Sequence, residues 1–260
     1  MTDILHIESE AMMPTVIQSA LIVGGSRGAG RDLAILLGKK GVQTHVVARG
    51  SDDLTKISTT HPDINVISRD AAERGAAEDL LITLRPDLLV LTAGATPKMV
   101  PFHQMDWTEF SAAWETDVKI AHSFLTAALT LPLKPGSTIA SFSSGAGLGG
   151  SRLSGGYAGA KRMQHFLTDY ARTEAEQRNL DLRLISIIPK QLVTGTEKGQ
   201  AAATAYAAAT GVTLDAFWSN WDAPLTSAGL ASHVAEILFE PDQWPGNTYT
   251  ITGGGAVEAG

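Results

Sequence analysis

Apolar residues in this chain gather into short unbroken runs, with longer stretches of helical spacing between them. The runs are Gln18–Val23 (QSALIV), Thr44–Ala48 (THVVA), Ile64–Ser68, Asp87–Leu91 (DLLVL), Thr138–Phe142, Arg183–Ile188 and Thr248–Ile251. Runs this short, bounded by glycine or polar residues, predict strands buried on both faces. Between them, Gly28–Lys40 puts Leu33, Leu36 and Leu37 on one helical face, and Ala72–Leu84 reads the same way. The segment after Ala48 is polar and is assigned no element. A long helix is predicted over 106–131, its apolar stripe running Trp107, Phe110, Trp114, Ala121, Phe124, Leu125 and Ala128. Another helix carries Tyr157 and continues to about Gln177, and a last one ends at Phe239. Strands alternating with helices predict an α/β fold, a doubly wound parallel sheet of about seven strands with helices on both faces. Residues 1–17 read as a polar N-terminal arm and 18–260 as one domain, with no internal repeat or linker.

Composition narrows the function without naming it. A chain of 260 residues can bury a large core and still form one domain. Its 44% hydrophobic and 18% charged content is that of an ordinary globular protein. A net charge of −7 lacks the basic footprint of a nucleic-acid binder. There is no cysteine, hence no disulfide and no thiol nucleophile, and no histidine pair has the spacing of a helical metal site. The first fifteen residues carry Asp3, Glu8 and Glu10 and no Lys or Arg, unlike a secretory signal, and no apolar run has the length of a membrane span. The expectation is a cytoplasmic protein with no membrane partner and no metal.

The first strand runs into Gly24-Gly25-Ser26-Arg27-Gly28-Ala29-Gly30 and then into a helix. Gly24 permits a tight turn, and Gly28 and Gly30 remove side chains where a pyrophosphate must approach a helix N-terminus. In this strand–turn–helix setting the glycines predict dinucleotide binding. The end of the second strand reads Val47-Ala48-Arg49-Gly50. It lacks the carboxylate that would bond the ribose hydroxyls of NAD. Arg49 and Arg27 are cations that can instead pair with the 2′-phosphate of NADP, unless both are solvated surface arginines. NADP(H) is therefore expected over NAD(H).

Tyr157 and Lys161 stand four residues apart on one helix, so phenol and ammonium share a face. A phenol ordinarily ionises near pH ~10, and a nearby ammonium stabilises the phenolate. Ser144, thirteen residues before Tyr157 in SFSSG, follows a strand and can hold a carbonyl or alcohol oxygen beside the phenol. By itself a Tyr–Lys pair at this spacing often only decorates a helix. Together with GxxxGxG and the upstream serine, it makes the chain resemble the short-chain dehydrogenase/reductase family over about residues 18–255. Thr92-Ala93-Gly94 after the fourth strand, Asp70 after the third, Pro189–Thr194 (PKQLVT) after the sixth and the tail TITGGG extend the resemblance.

The resemblance implies a Rossmann-type domain with a substrate loop or lid at about 190–225. It implies Tyr157 as general acid or base, Lys161 supporting it and holding the nicotinamide ribose, and Ser144 orienting the substrate oxygen. Ser26, Asp70, Ala93, Gly94 and Pro189 would line the cofactor, and Thr194 would bond the carboxamide. Asp117 stands where the family usually has an asparagine that relays protons to the lysine. It either pairs with Lys161 or turns to solvent at the stripe's edge. Lys190 replaces a usual glycine. The implied activity is hydride transfer between NADP(H) and a carbonyl or alcohol. Competing readings are a non-catalytic NADP(H)-binding sensor or scaffold and a non-redox lyase. The latter typically loses the glycines and the lysine that this chain keeps. Tyr206, Phe217, Trp218 and Trp221 either form a lid over an apolar small-molecule substrate or pack their own helices or a subunit interface. A homodimer or homotetramer built through the long helices is implied; the apolar faces of 106–131 and 156–177 would permit it, but the core would also account for them.

Overall fold

The computed structural model describes residues 16–131 and 133–259. Most of the expected N-terminal arm lies outside them. Eight strands form one sheet: β1 (Ser19–Val23), β2 (Gln43–Ala48), β3 (Ile64–Ser68), β4 (Leu88–Leu91), β5 (Ser137–Phe142), β6 (Leu182–Pro189), β7 (Thr248–Thr252) and β8 (Gly255–Glu258). Their order is β3-β2-β1-β4-β5-β6-β7-β8, and every pair is parallel except β7–β8. The eighth strand is absent from the sequence reading. It is a hairpin return after Thr252, with Val257 63% exposed, so it carries no apolar run to reveal it.

The helices are α1 (Gly28–Lys39), α2 (Ser51–Thr60), α3 (Ala76–Leu84), α4 (Trp107–Ala113), α5 (Lys119–Thr130), α6 (Ala146–Gly149), α7 (Tyr157–Gln177), α8 (Glu197–Thr210), α9 (Leu214–Trp218) and α10 (Ser227–Phe239). Strand residues alternate between two apolar layers. Ala20 and Ile22 of β1 meet Leu33 and Leu37 of α1, Leu54 and Ile57 of α2, and Leu230 and Val234 of α10 in one layer. Leu21 and Val23 meet Leu80 and Leu81 of α3, Phe124 and Leu125 of α5, and Ala171 and Ala175 of α7 in the other. The polar segment after Ala48 is α2: Leu54 and Ile57, one turn apart, suffice to seat it.

The long helix of 106–131 is not continuous. Asp106 and Glu109 form a capping box that starts α4. A π-helical turn at Trp114–Val118 then separates α4 from α5. Such a turn inserts one residue and changes the phase of everything before it. The expected stripe therefore fails at its N-terminal end, where Trp107 is 76% and Trp114 41% exposed, while Ala121, Phe124, Leu125 and Ala128 are buried. The same turn holds Asp117, which is fully buried.

Strand order reverses direction between β1 and β4. In such sheets ligands bind in the crevice at the carboxyl ends of the strands where the order switches.

Candidate active site

A cleft of about 1410 Å³ opens there. Gly24, Ser26, Arg27, Gly28 and Gly30 form its floor, with Arg49 and Asp70 at one end and Ala93 and Gly94 along the side. Ser144, Tyr157, Lys161 and Pro189 close the other end. Residues far apart in sequence are thus brought into one space. Gly28 has φ +54, and a Cβ there would lie 3.3 Å from Thr196 Cγ2 across the cleft. A side chain would both strain the turn and fill the cradle. The first turn of α1 has no side-chain cap, so its amides are available to an anion. The cradle fits a dinucleotide.

Lys161 is the most constrained group of the site. Its ammonium lies 3.0 Å from Asp117 Oδ2. It donates to Gln164 Oε1 at 2.7 Å and to the Phe142 carbonyl at 3.4 Å. It sits 5.5 Å from the centroid of the Tyr157 ring. Burial is the largest single influence and opposes its charge, but the Asp117 carboxylate and the Tyr157 phenol together outweigh it, and its pKa is raised. Asp117 Oδ1 accepts the Ala95 backbone N–H at 2.7 Å. Gly94 makes this approach possible, since a Cβ there would collide with the Asp117 carboxylate. Of the two orientations open to Asp117, the structure shows the paired one.

Gln164 escaped the sequence reading. Its Nε2 donates to the Asp117 carbonyl at 3.1 Å while its Oε1 holds Lys161. The available signal was an amide three residues after Lys161 on the same buried face. Lys198, in the first turn of α8, also escaped it. It lines the cleft, and its pKa is pushed down to about 8, first by burial and then by Lys161 and Arg27, with Asp117 opposing.

Ser144 lines the cleft, its Oγ accepting the Ala146 N–H at 3.2 Å. Ser143 is turned inward and donates to the Lys161 carbonyl at 2.7 Å. Thr194 does not line the cleft. Its N–H and Oγ1 both donate to the Leu225 carbonyl, at 2.8 and 3.3 Å, because this segment forms a parallel bridge to Thr226. Thr196 faces the cleft instead, although its hydroxyl caps α8 by accepting from Gly199.

Arg27 is salt-bridged to Asp53 (3.4 Å) and to Glu197, whereas Arg49 is exposed with no carboxylate within salt-bridge distance among the described residues. Lys190 lines the cleft. Tyr206, Phe217 and Trp221 line it as well, and Tyr206 Oη is 2.8 Å from Ser151 Oγ. Trp218 packs on Phe217 and Trp221 outside it. Among the described residues no group of His, Asp and Glu could hold a metal, and no helix is long and apolar enough to cross a membrane.

The profile of the short chain dehydrogenase family matches residues 18–209. The chain belongs to the short-chain dehydrogenase family. An NADPH-dependent pterin aldehyde reductase of Arabidopsis thaliana is 30% identical over 159 residues, which cover 55% of this chain and 63% of that protein. The match thus spans less than two thirds of the curated relative. Levodione reductase superposes with a TM-score of 0.77 at 20% identity, covering 91% of this chain and 96% of that one. A structure described as ElxO with NADP bound gives a TM-score of 0.75 at 20% identity, over 92% and 98% of the two chains. These structures share the dehydrogenase's fold.

Proposed function

We propose that this short-chain dehydrogenase is an NADP(H)-dependent oxidoreductase that interconverts a carbonyl and an alcohol on an apolar small molecule. The observation that carries the reading is the meeting of Ser144, Tyr157 and Lys161 with the glycine turn in one cleft. Arg27 and Arg49 at the adenine end, with no acid at 48–50, support NADP(H), and a relative is NADPH-dependent. Gly28 and the uncapped first turn of α1 would hold the diphosphate, and Lys161 and Tyr157 would flank the nicotinamide ribose. The bound nicotinamide supplies or accepts the hydride at the carbon of the reacting C–O group.

The chain's own residues handle the oxygen. Ser144 Oγ–H donates to the substrate oxygen and fixes its position beside the phenol. In reduction Tyr157 donates its proton to that oxygen as negative charge develops there, and in oxidation its phenolate takes the alcohol proton. The Lys161 ammonium, 5.5 Å from the phenol ring, stabilises the phenolate left behind. Asp117 and Gln164 fix Lys161 in that place. Phe217 and Trp221 offer apolar area to the substrate and exclude water.

Absorbance at 340 nm across a panel of aldehydes and ketones tests the activity. Tyr157→Phe should lower turnover by about 10²–10⁴-fold, the usual contribution of a general acid, while NADPH binding by fluorescence persists. Turnover unchanged in Tyr157→Phe would refute the assignment.

A further inference from the structure

We propose that Lys198 forms the second arm of the diphosphate site, carried by the lid helix α8, whose start is already held against the glycine turn. The inference rests on the NADP(H) reading above. Two residues at the start of α8 meet the turn and a third lines the same cleft. Thr196 lies 3.3 Å from where a Gly28 Cβ would be, Glu197 is salt-bridged to Arg27, and Lys198 lines the cleft within reach of the charges of Arg27 and Lys161. The Lys198 ammonium has no hydrogen bond and no carboxylate within salt-bridge distance among the described residues, although its surroundings disfavour its charge.

Its place on the helix is also unfavourable. A cation in the first turn opposes the helix dipole, which favours an acid there, as Glu197 illustrates one residue earlier. A half-buried lysine at a helix start, within reach of the charges of Lys161 and Arg27 and without a carboxylate partner, lacks an anion. Across the cleft, the uncapped amides of α1 lack one too. A diphosphate between them satisfies both, with one oxygen set on the α1 amides and the other on the ammonium. A 2′-phosphate belongs to the far end of the cleft, near Arg49.

The charged groups facing Lys198 are Lys161 from α7, Asp117 from the π turn and Arg27 from the glycine turn. Arg27 is already salt-bridged to Glu197 and Asp53. In the free protein the Lys198 pKa is about 8. A bound diphosphate favours the charged form and raises that value. Binding above pH ~8 therefore takes up a proton, and affinity falls as pH rises through that window.

The test is fluorescence and calorimetric titration of the full chain with NADPH and with 2′-AMP, which lacks the diphosphate. Lys198→Met should weaken NADPH by about 10-fold or more, the usual size of a charge-assisted hydrogen bond, and leave 2′-AMP unchanged. Lys198→Arg should restore most of the NADPH affinity. Titrations near pH 8.5 in buffers of different ionisation enthalpy should show proton uptake in the native protein and none in Lys198→Met. Equal NADPH affinity in native and Lys198→Met protein overturns the proposal, as does equal weakening of 2′-AMP. Failure of the native protein to bind NADPH would overturn the NADP(H) reading itself, and this proposal with it.

Discussion

At the scale of the residue, the decisive pair is Asp117 and Lys161. Both are buried, at 0% and 4% exposure, and such a pair is costly to break from one side, by about 3–5 kcal/mol. Asp117→Asn is the milder change, because an amide oxygen can still accept the Ala95 N–H that Oδ1 now holds. It removes the charge that partly neutralises Lys161, so the ammonium supports the Tyr157 phenolate more strongly. The pH optimum for alcohol oxidation should then fall by about one unit, the effect of a single-charge interaction of roughly 1.4 kcal/mol. A pH–rate profile that matches the native one would exclude this role. Asp117 was legible as an irregularity in sequence, a carboxylate at the edge of an apolar stripe where the family usually has an asparagine. Its orientation was not, because that depends on a π turn that shifts the stripe's phase and on Gly94 leaving room for the carboxylate. Gln164 was hidden for a related reason. A glutamine on a helix is ordinarily solvated, and only the folded arrangement brings the Asp117 carbonyl to its Nε2 and Lys161 to its Oε1.

At the scale of the element, α8 joins cofactor and substrate. One end is tied to the glycine turn through Glu197 and Arg27. Further along, Tyr206 Oη meets Ser151 Oγ at 2.8 Å and the Leu153 N–H at 3.4 Å, in the loop between α6 and α7. Removing the Tyr206 hydroxyl unties the lid from the substrate side only. Tyr206→Phe should raise KM for the carbonyl substrate by about 3- to 10-fold, the worth of one or two neutral hydrogen bonds, with the NADPH Kd unchanged. An altered NADPH Kd with unchanged KM would contradict that division. Elements of this kind were only half legible. The family resemblance pointed to a lid at about 190–225, but α8 has weak amphipathic patterning, so its inward face could not be read from periodicity. Thr194 shows the same limit. Motif position placed it at the nicotinamide, while the bridge to Thr226 turns its hydroxyl to Leu225. By contrast α7 was legible nearly to its last residue, and so were the parallel strands, whose apolar runs are buried on both faces.

At the scale of the whole molecule, alternation of strands and helices was enough to predict the doubly wound sheet, since right-handed crossovers leave few other arrangements. What alternation cannot predict is which apolar residues remain outside once both faces of the sheet are covered. On α7 these are Phe166 and Tyr170, 36% and 57% exposed, with stacked rings 6.1 Å apart. Arg162 lies over Phe166 at 4.5 Å, and the exposed Trp114 lies 3.6 Å from where a Gly159 Cβ would stand. Positions 159, 162, 166 and 170 follow one another along a single helix face, so these rings form a stripe rather than scattered points. The inner face of α7 is already packed in the core through Ala171 and Ala175, so the core does not account for the stripe. Contiguous exposed apolar area of this kind suits an interaction surface, and a second copy of the chain would supply the same stripe in antiparallel register about a two-fold axis. Each ring is already partly covered, so its burial there contributes about a third to a half of the roughly 1.5–3 kcal/mol of a full burial, doubled by symmetry. Light scattering after size exclusion should therefore give a dimer or tetramer for the native protein. The double change Phe166→Glu and Tyr170→Glu should give a monomer with unaltered far-UV circular dichroism, because neither ring lies in the core. A native protein that runs as a monomer would leave the stripe without this role.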